Sequence, residues 1–239
     1  MAKRSADMPY NLHCNVSYAA NMIASGSIGG LRVAGIVLCG GESRRMGHPK
    51  AWLRFGEEYL LQRIVRIVSQ VAQPIVVATR MGLELPPITQ PCSMVHDSQD
   101  HAGPLAGIAA GMNALQEKCD AVLVAPCDHP FITPEVLNRM LECLGENQGV
   151  VPERYGMPIP TLAVYRLGTL PLLQELLRAG ERRAQVFAQA SGALTLNHTK
   201  LADIDPELRA LFNLNDPESY ESALCDLGNR TSKGISCAP

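Results

Sequence analysis

A succession of short apolar runs, rich in Val, Ile, Leu and Ala and without polar alternation, divides this chain at 33–38, 74–78, 93–96, 121–125, 149–152 and 161–165. Such runs belong to strands covered on both faces, as in parallel sheets; a half-exposed strand would alternate. Between them the spacing turns helical: Leu60, Ile64, Ile67, Val68 and Val71 share one helical face, as do Leu105, Ile108, Met112 and Leu115, and again Val136, Leu137, Met140, Leu141 and Leu144. Thr133 before Pro134 is an N-cap followed by proline at the first helical position. Further helices are expected over 170–179, 182–190 and 217–224. The alternation predicts an α/β fold of three layers: an open, mostly parallel sheet with helices on both faces. Ligands of such sheets bind at the carboxyl ends of the strands.

Composition narrows the ligand. Aromatic residues make up 5% of the chain, too few for a surface that reads nucleic acid by stacking bases. Lys plus Arg number 21 against 23 Asp plus Glu, a net charge of -2, so no nucleic-acid partner is expected and an anionic ligand needs a local basic cluster. The 8 cysteines form no C-x-x-C pair and several lie inside apolar runs, which argues against zinc and a disulfide scaffold and for thiols of a cytoplasmic protein. No apolar run approaches the roughly 20 residues of a membrane span, and residues 1–30 lack the continuous apolar stretch of a signal peptide. The expected organisation is a flexible extension at 1–30, one domain at 31–225 and a disordered tail at 226–239.

The loop after the first run reads Cys39-Gly40-Gly41-Glu42-Ser43-Arg44-Arg45-Met46-Gly47-His48-Pro49-Lys50. Paired glycines let the backbone turn and bring amides close to a ligand, while Arg44, Arg45 and Lys50 supply charge. That combination suits a triphosphate, although the spacing is neither a Walker A loop nor G-x-G-x-x-G. Leu38-Cys39-Gly40-Gly41, Arg44-Arg45-Met46-Gly47 and Lys50 resemble the L-A-G-G-x-x-x-R-M-G-x-x-K signature of nucleotidyltransferases, with Cys39 where the family has Ala. The resemblance implies a Rossmann-like sheet of the nucleotide-diphospho-sugar transferase type and transfer of a nucleotide from an NTP to an acceptor.

Two further loops follow predicted strands. Asp97 and Gly103-Pro104-Leu105-Ala106-Gly107 lead into a helix; the small residues suit either close approach of a ligand to its N-terminus or tight packing of helix on sheet. The segment resembles the guanine-reading run of the molybdenum cofactor guanylyltransferase family, which implies Asp97 beside the guanosine. Asp128, in Pro126-Cys127-Asp128-His129-Pro130, is a carboxylate at the tip of an apolar strand, a position suited to Mg²⁺ bridging phosphates or to capping the next helix. The family's metal-binding aspartate stands in the same C-D-x-P context. His129 reads as a turn residue and Cys127 as a packed thiol.

Gly180-Glu181-Arg182-Arg183 resembles a family segment on the molybdopterin side, which makes Arg182 or Arg183 a candidate for the acceptor's phosphate or pterin. Asn213-Leu214-Asn215-Asp216-Pro217-Glu218 reads locally as a turn with Asp216 as N-cap. It also resembles the family's N-x-N-T-P-E, implying Asn215 near the metal and Asn213 near the acceptor. Taken together, the resemblance implies transfer of GMP from GTP to molybdopterin with Mg²⁺. Lys50, Arg45 and Asp128 would be catalytic; Leu38, Cys39, Gly40, Gly41, Asp97, Gly103, Pro104 and Leu105 would contact the nucleotide. It implies transient contact with molybdoenzymes or other cofactor-biosynthesis proteins. The rivals are a sister enzyme using CTP or a sugar phosphate, and a nucleotide-binding module without turnover.

Overall fold

The computed structural model describes residues 27–28, 30–40, 46–96 and 103–233. The elements follow in order: β1 (Ser27–Ile28), β2 (Leu31–Cys39), β3 (Arg54–Phe55), β4 (Glu58–Tyr59), α1 (Leu60–Val68), β5 (Ile75–Thr79), β6 (Ser93–His96), α2 (Gly103–Ala114), β7 (Ala121–Pro126), α3 (Pro134–Glu142), β8 (Gly149–Arg154), β9 (Met157–Pro158), β10 (Ala163–Arg166), α4 (Leu170–Arg178), α5 (Ala184–Ala190), β11 (Leu194–Leu196) and α6 (Pro217–Lys233).

The main sheet runs β11-β8-β10-β7-β2-β5-β6, with β1 paired to β2 and β9 to β8. It is the expected mostly parallel sheet between two helical layers. One apolar cluster packs α1 and α3 on one face, with Ile64, Val68, Val136 and Met140 fully buried. The other packs α2, α4 and α5 on the opposite face through Leu105, Ile108, Leu173 and Phe187. Burying a side chain of this size stabilises the fold by about 1.5–3 kcal/mol, and the number of such residues explains why few aromatics suffice. Thr133 caps α3, its Oγ1 accepting from Val136 N at 3.4 Å, with Pro134 in the first turn.

The structure departs from the sequence reading at five elements. β6 is an edge strand, and Met94 is 52% exposed rather than covered. β10 runs antiparallel to both β7 and β8, because the short return through β9 leaves no room for a crossover helix. α5 starts at Ala184 rather than 182, since the Glu181 carboxylate takes the main-chain amides of Arg182 and Arg183 before the helix begins. The tail expected from 226 is helical as far as Lys233. Leu227 there, continuing from Leu224 just before it, packs against the satellite cluster of Phe55, Leu60, Leu214 and Ala223 and anchors the start of a segment whose composition alone gave little to bury. Ser27 and Ile28, inside the expected extension, pair with Arg32 and Leu31. Among the described residues no helix is long and apolar enough to cross a membrane.

Strand order locates the site. The chain passes from β2 outward to β5 and β6, then returns to lay β7 on the other side of β2. The connections therefore diverge between β2 and β7, leaving a crevice at their carboxyl ends where open α/β sheets bind ligands.

Candidate active site

Both flanks of that crevice carry charge. Beyond β2, the chain turns through Gly47, whose φ of +69° lies in the left-handed region that glycine tolerates. It then closes a single 3-10 turn over Lys50–Trp52, with Trp52 N donating to Pro49 O and Leu53 N to Lys50 O. Ala51 is buried and anchors the turn to the core, which holds the neighbouring Lys50 beside the sheet edge. Beyond β7, Cys127 N donates to Leu38 O at 3.0 Å and prolongs the pairing of the two strands, delivering Asp128 to the same edge. Lys50 Nζ and Asp128 Oδ2 meet at 2.7 Å, each side chain about one-fifth exposed.

The third arm comes from the chain before α6. Leu214 N donates to the Asp128 carbonyl at 2.9 Å, and the Leu214 side chain is buried. Residues two apart in an extended segment share a side, so exposed Asn213 and Asn215 flank this anchor. Their side chains approach each other, Asn213 Nδ2 to Asn215 Oδ1 at 3.4 Å. Asp216 caps α6 as read from the sequence, its Oδ1 accepting from Ser219 N at 2.8 Å. His129 supplies a strap that sequence reasoning missed. Its ring is 2% exposed, and Nδ1 lies 3.1 Å from Ala210 O. A carbonyl only accepts, so Nδ1 carries the proton and Nε2, 3.9 Å from Asp128 Oδ1, faces the site. Burial pushes the imidazole below its ordinary pKa. No local signal separates such a histidine from a turn residue, because the partner carbonyl is 81 residues away.

Cys127 is the packed thiol expected of it. Contact with the Cys39 thiol, followed by burial, pushes its pKa well above the ordinary value. Leu38 is half-buried beneath the edge, and Gly40 adjoins Arg80 and Thr79, where a Cβ would meet only ordinary contacts. At the start of α2, Gly103 and Pro104 are exposed, whereas the Leu105 side chain is fully buried and leaves only its main chain to a ligand. Glycines deeper in α2 serve packing: a Cβ at Gly111 would lie 2.8 Å from Ile36, and one at Gly107 3.2 Å from Leu38.

Arg182 and Arg183 come from the segment between α4 and α5. A Cβ at Gly103 would lie 3.0 Å from Arg182 O, which sets this pair beside the entry of α2. Arg183 is held by the Glu181 carboxylate at 2.7 Å, and that contact lowers the Glu181 pKa to about 2. Gly41, Arg45 and Asp97 lie outside the described residues.

Among the described residues no three His, Cys, Asp or Glu side chains cluster as a metal cage. Mg²⁺ at nucleotide sites needs only one or two protein oxygens, the rest coming from water and phosphate. Asp128, with one oxygen on Lys50 and the other directed past His129, fits that demand.

Comparison with known proteins accords with this geometry. The family model described as "MobA-like NTP transferase domain" matches residues 35–194, more than half of the chain. The chain belongs to that family. It is therefore a nucleotidyltransferase of the MobA-like type. A protein of Chloroflexus aggregans named "Probable molybdenum cofactor guanylyltransferase" is 32% identical over 204 residues, covering 83% of this chain and 96% of its own. The "Molybdenum cofactor guanylyltransferase" of Rhodobacter capsulatus is 29% identical over 198 residues, covering 81% and 95%. Among solved structures, molybdopterin-guanine dinucleotide biosynthesis protein A of Archaeoglobus fulgidus superposes with a TM-score of 0.68 at 25% identity, covering 82% of this chain and 99% of that one. A Thermus thermophilus 2-C-methyl-D-erythritol 4-phosphate cytidylyltransferase shares the fold, with a TM-score of 0.60 at 19% identity, covering 82% and 98%.

Proposed function

We propose that this member of the MobA-like family transfers GMP from GTP to the phosphate of molybdopterin, forming molybdopterin guanine dinucleotide and releasing pyrophosphate. An acceptor phosphate oxygen bonds to the α-phosphorus as the bond to the oxygen bridging the α- and β-phosphates breaks, and the bridging electrons leave with pyrophosphate. Because the nucleophile is already an anion, the protein needs no base; positioning and charge neutralisation are its contributions. The observation that carries this reading is the convergence of Lys50 and Asp128 at the sheet's switch point, in a chain whose relatives bear guanylyltransferase names.

Lys50 is the group that meets negative charge on the triphosphate, and the Gly40 amide lies on the phosphate side of the crevice; Arg45 and Gly41, which lie outside the described residues, are assigned to the same triphosphate from the sequence alone. Asp97 and the main chain of Gly103, Pro104 and Leu105 read guanine. Mg²⁺ held by Asp128, with Asn215 at its rim, would supply further charge neutralisation. Asn213 turns toward the acceptor, while Arg182 and Arg183 border the opposite side.

Pyrophosphate release tests the reading. Purified protein with GTP, Mg²⁺ and molybdopterin is expected to release pyrophosphate, and CTP in place of GTP to release little, since a site that hydrogen-bonds guanine leaves those groups unpaired against cytosine. Equal use of CTP would replace the guanylyl assignment with a cytidylyl one. Nucleotide binding without release would point to a module without turnover.

A further inference from the structure

The turn between β8 and β9 contains an arginine that the reading above leaves unused. Four arginines of the described chain stack on aromatic rings: Arg54 on Tyr59, Arg63 on Phe55, Arg209 on Phe131, and Arg154 on both Tyr155 and Phe212. The first three also have hydrogen-bond partners: Arg54 donates to Glu57 O, Arg63 to Pro130 O and Arg209 to Asp226. Among the described residues Arg154 has no hydrogen-bond or ion-pair partner, and its Nε is buried. The ring contacts favour the cation, but they leave the desolvated Nε–H without an acceptor inside the described chain. The neighbouring acid, Glu153, leaves the strand on the opposite face.

The cation is also held in place. Its centre lies 5.0 Å from the Tyr155 ring and 5.5 Å from the Phe212 ring. Arg154 pairs with Met157, so Tyr155 and Gly156 form a two-residue hairpin loop, both with positive φ, +53° and +77°. Such a loop favours Asn or Asp before Gly. Tyrosine there is strained and 83% exposed, gaining nothing from burial, yet its ring covers the guanidinium.

The location is the carboxyl edge that carries Asp128. Phe212 immediately precedes Asn213 and the Leu214 amide bound to the Asp128 carbonyl. It also packs on Phe131, three residues beyond Asp128, at 6.1 Å between centroids.

We infer that Arg154, clasped between Tyr155 and Phe212, is the residue that binds the phosphomonoester of the second substrate. This rests on the transferase reading given above and assigns one group within it. Guanidinium matches phosphate geometry with two parallel N–H donors, and ring faces pre-orient it without competing for those donors. The position lies on the β8 side of Asp128, away from Gly40 and the β5 side of the crevice, so it is available to a second phosphate rather than to the nucleotide.

Steady-state kinetics on wild type, Arg154→Gln, Arg154→Lys and Tyr155→Ser provide the test, with folding followed by thermal melting. Arg154→Gln is expected to raise the KM for molybdopterin by about ten-fold or more and to leave the KM for GTP unchanged. Arg154→Lys should recover part of the loss, as charge returns without the fork. Tyr155→Ser, at an exposed side chain, should fold normally and raise the acceptor KM by a smaller factor. Inorganic phosphate should compete with the acceptor in wild type and lose that competition in Arg154→Gln. An unchanged acceptor KM in Arg154→Gln or in well-folded Tyr155→Ser would overturn the assignment. If wild type releases no pyrophosphate, the transferase reading fails by itself. Phosphorus NMR titration of wild type and Arg154→Gln with inorganic phosphate then decides the anion site: tighter binding by wild type upholds it, equal binding removes it.

Discussion

Lys50 Nζ lies 2.7 Å from Asp128 Oδ2, although 78 residues separate them in the chain. One emerges after β2 and the other after β7, and these strands are neighbours only because the chain reverses its order across the sheet. Replacing Asp128 by Ala is expected to abolish pyrophosphate release while the protein stays folded. The partly exposed ion pair contributes about 1 kcal/mol or less to stability. Circular dichroism and the pyrophosphate assay on the same sample check this, and near-normal turnover would remove Asp128 from the chemistry.

Lys50→Met should raise the barrier by about 2–4 kcal/mol, roughly 30- to 1,000-fold in kcat. Lys50→Arg should restore little, because a planar fork on a stiffer head does not replace a compact ammonium on the turn at Lys50–Trp52. Rapid-quench measurement of a single turnover separates this loss from slow product release; full activity in Lys50→Arg would mean that charge alone suffices.

Gly111→Ala distinguishes packing from ligand contact in α2. The added methyl would meet Ile36 side-chain carbons at 2.8 to 2.9 Å. Overpacking of this kind costs about 1–3 kcal/mol, so the denaturation midpoint should fall while the KM for GTP holds. A raised KM at unchanged stability would assign the position to the nucleotide instead.

Acid should dissolve the contact between Glu181 and Arg183 in a defined window. The Glu181 carboxyl is lowered from 4.5 to about 2 in the folded protein, chiefly by the hydrogen bond from Arg183. Above pH 4.5 the group is ionised in both folded and unfolded chains, and its stabilising contribution is fully present. As pH falls from 4.5 toward 2 the unfolded chain takes the proton first, and the contribution is lost. Melting temperatures of wild type and Glu181→Gln should therefore differ by a constant amount above pH 5 and converge below 4.5. Parallel curves down to pH 2 would show that the carboxylate contributes nothing there.

Much of the candidate site could be read from local sequence because its parts are loops at the ends of apolar strands. Lys50 and Asp128 stand out as charges following runs that must be buried, and Asp216-Pro217 carries its own capping signal. His129 and Arg154 could not be found that way. The histidine is defined by a carbonyl at Ala210, and the arginine by rings on either side of it, one of them at Phe212. Neither partner is close in the chain, and neither residue type is unusual in a turn. Leu105 shows the converse: it falls within a ligand-like run, yet its side chain belongs to the core.

Periodicity and turn chemistry thus determine which segments become strands and helices, since burial of apolar faces and capping are local consequences of residue type and spacing. The antiparallel entry of β10, the exposed edge at β6 and the helical continuation to Lys233 were decided only when elements distant in the chain packed together. So was the meeting of Lys50 with Asp128, because strand order is settled by the packing of whole layers, to which no short stretch of sequence has access.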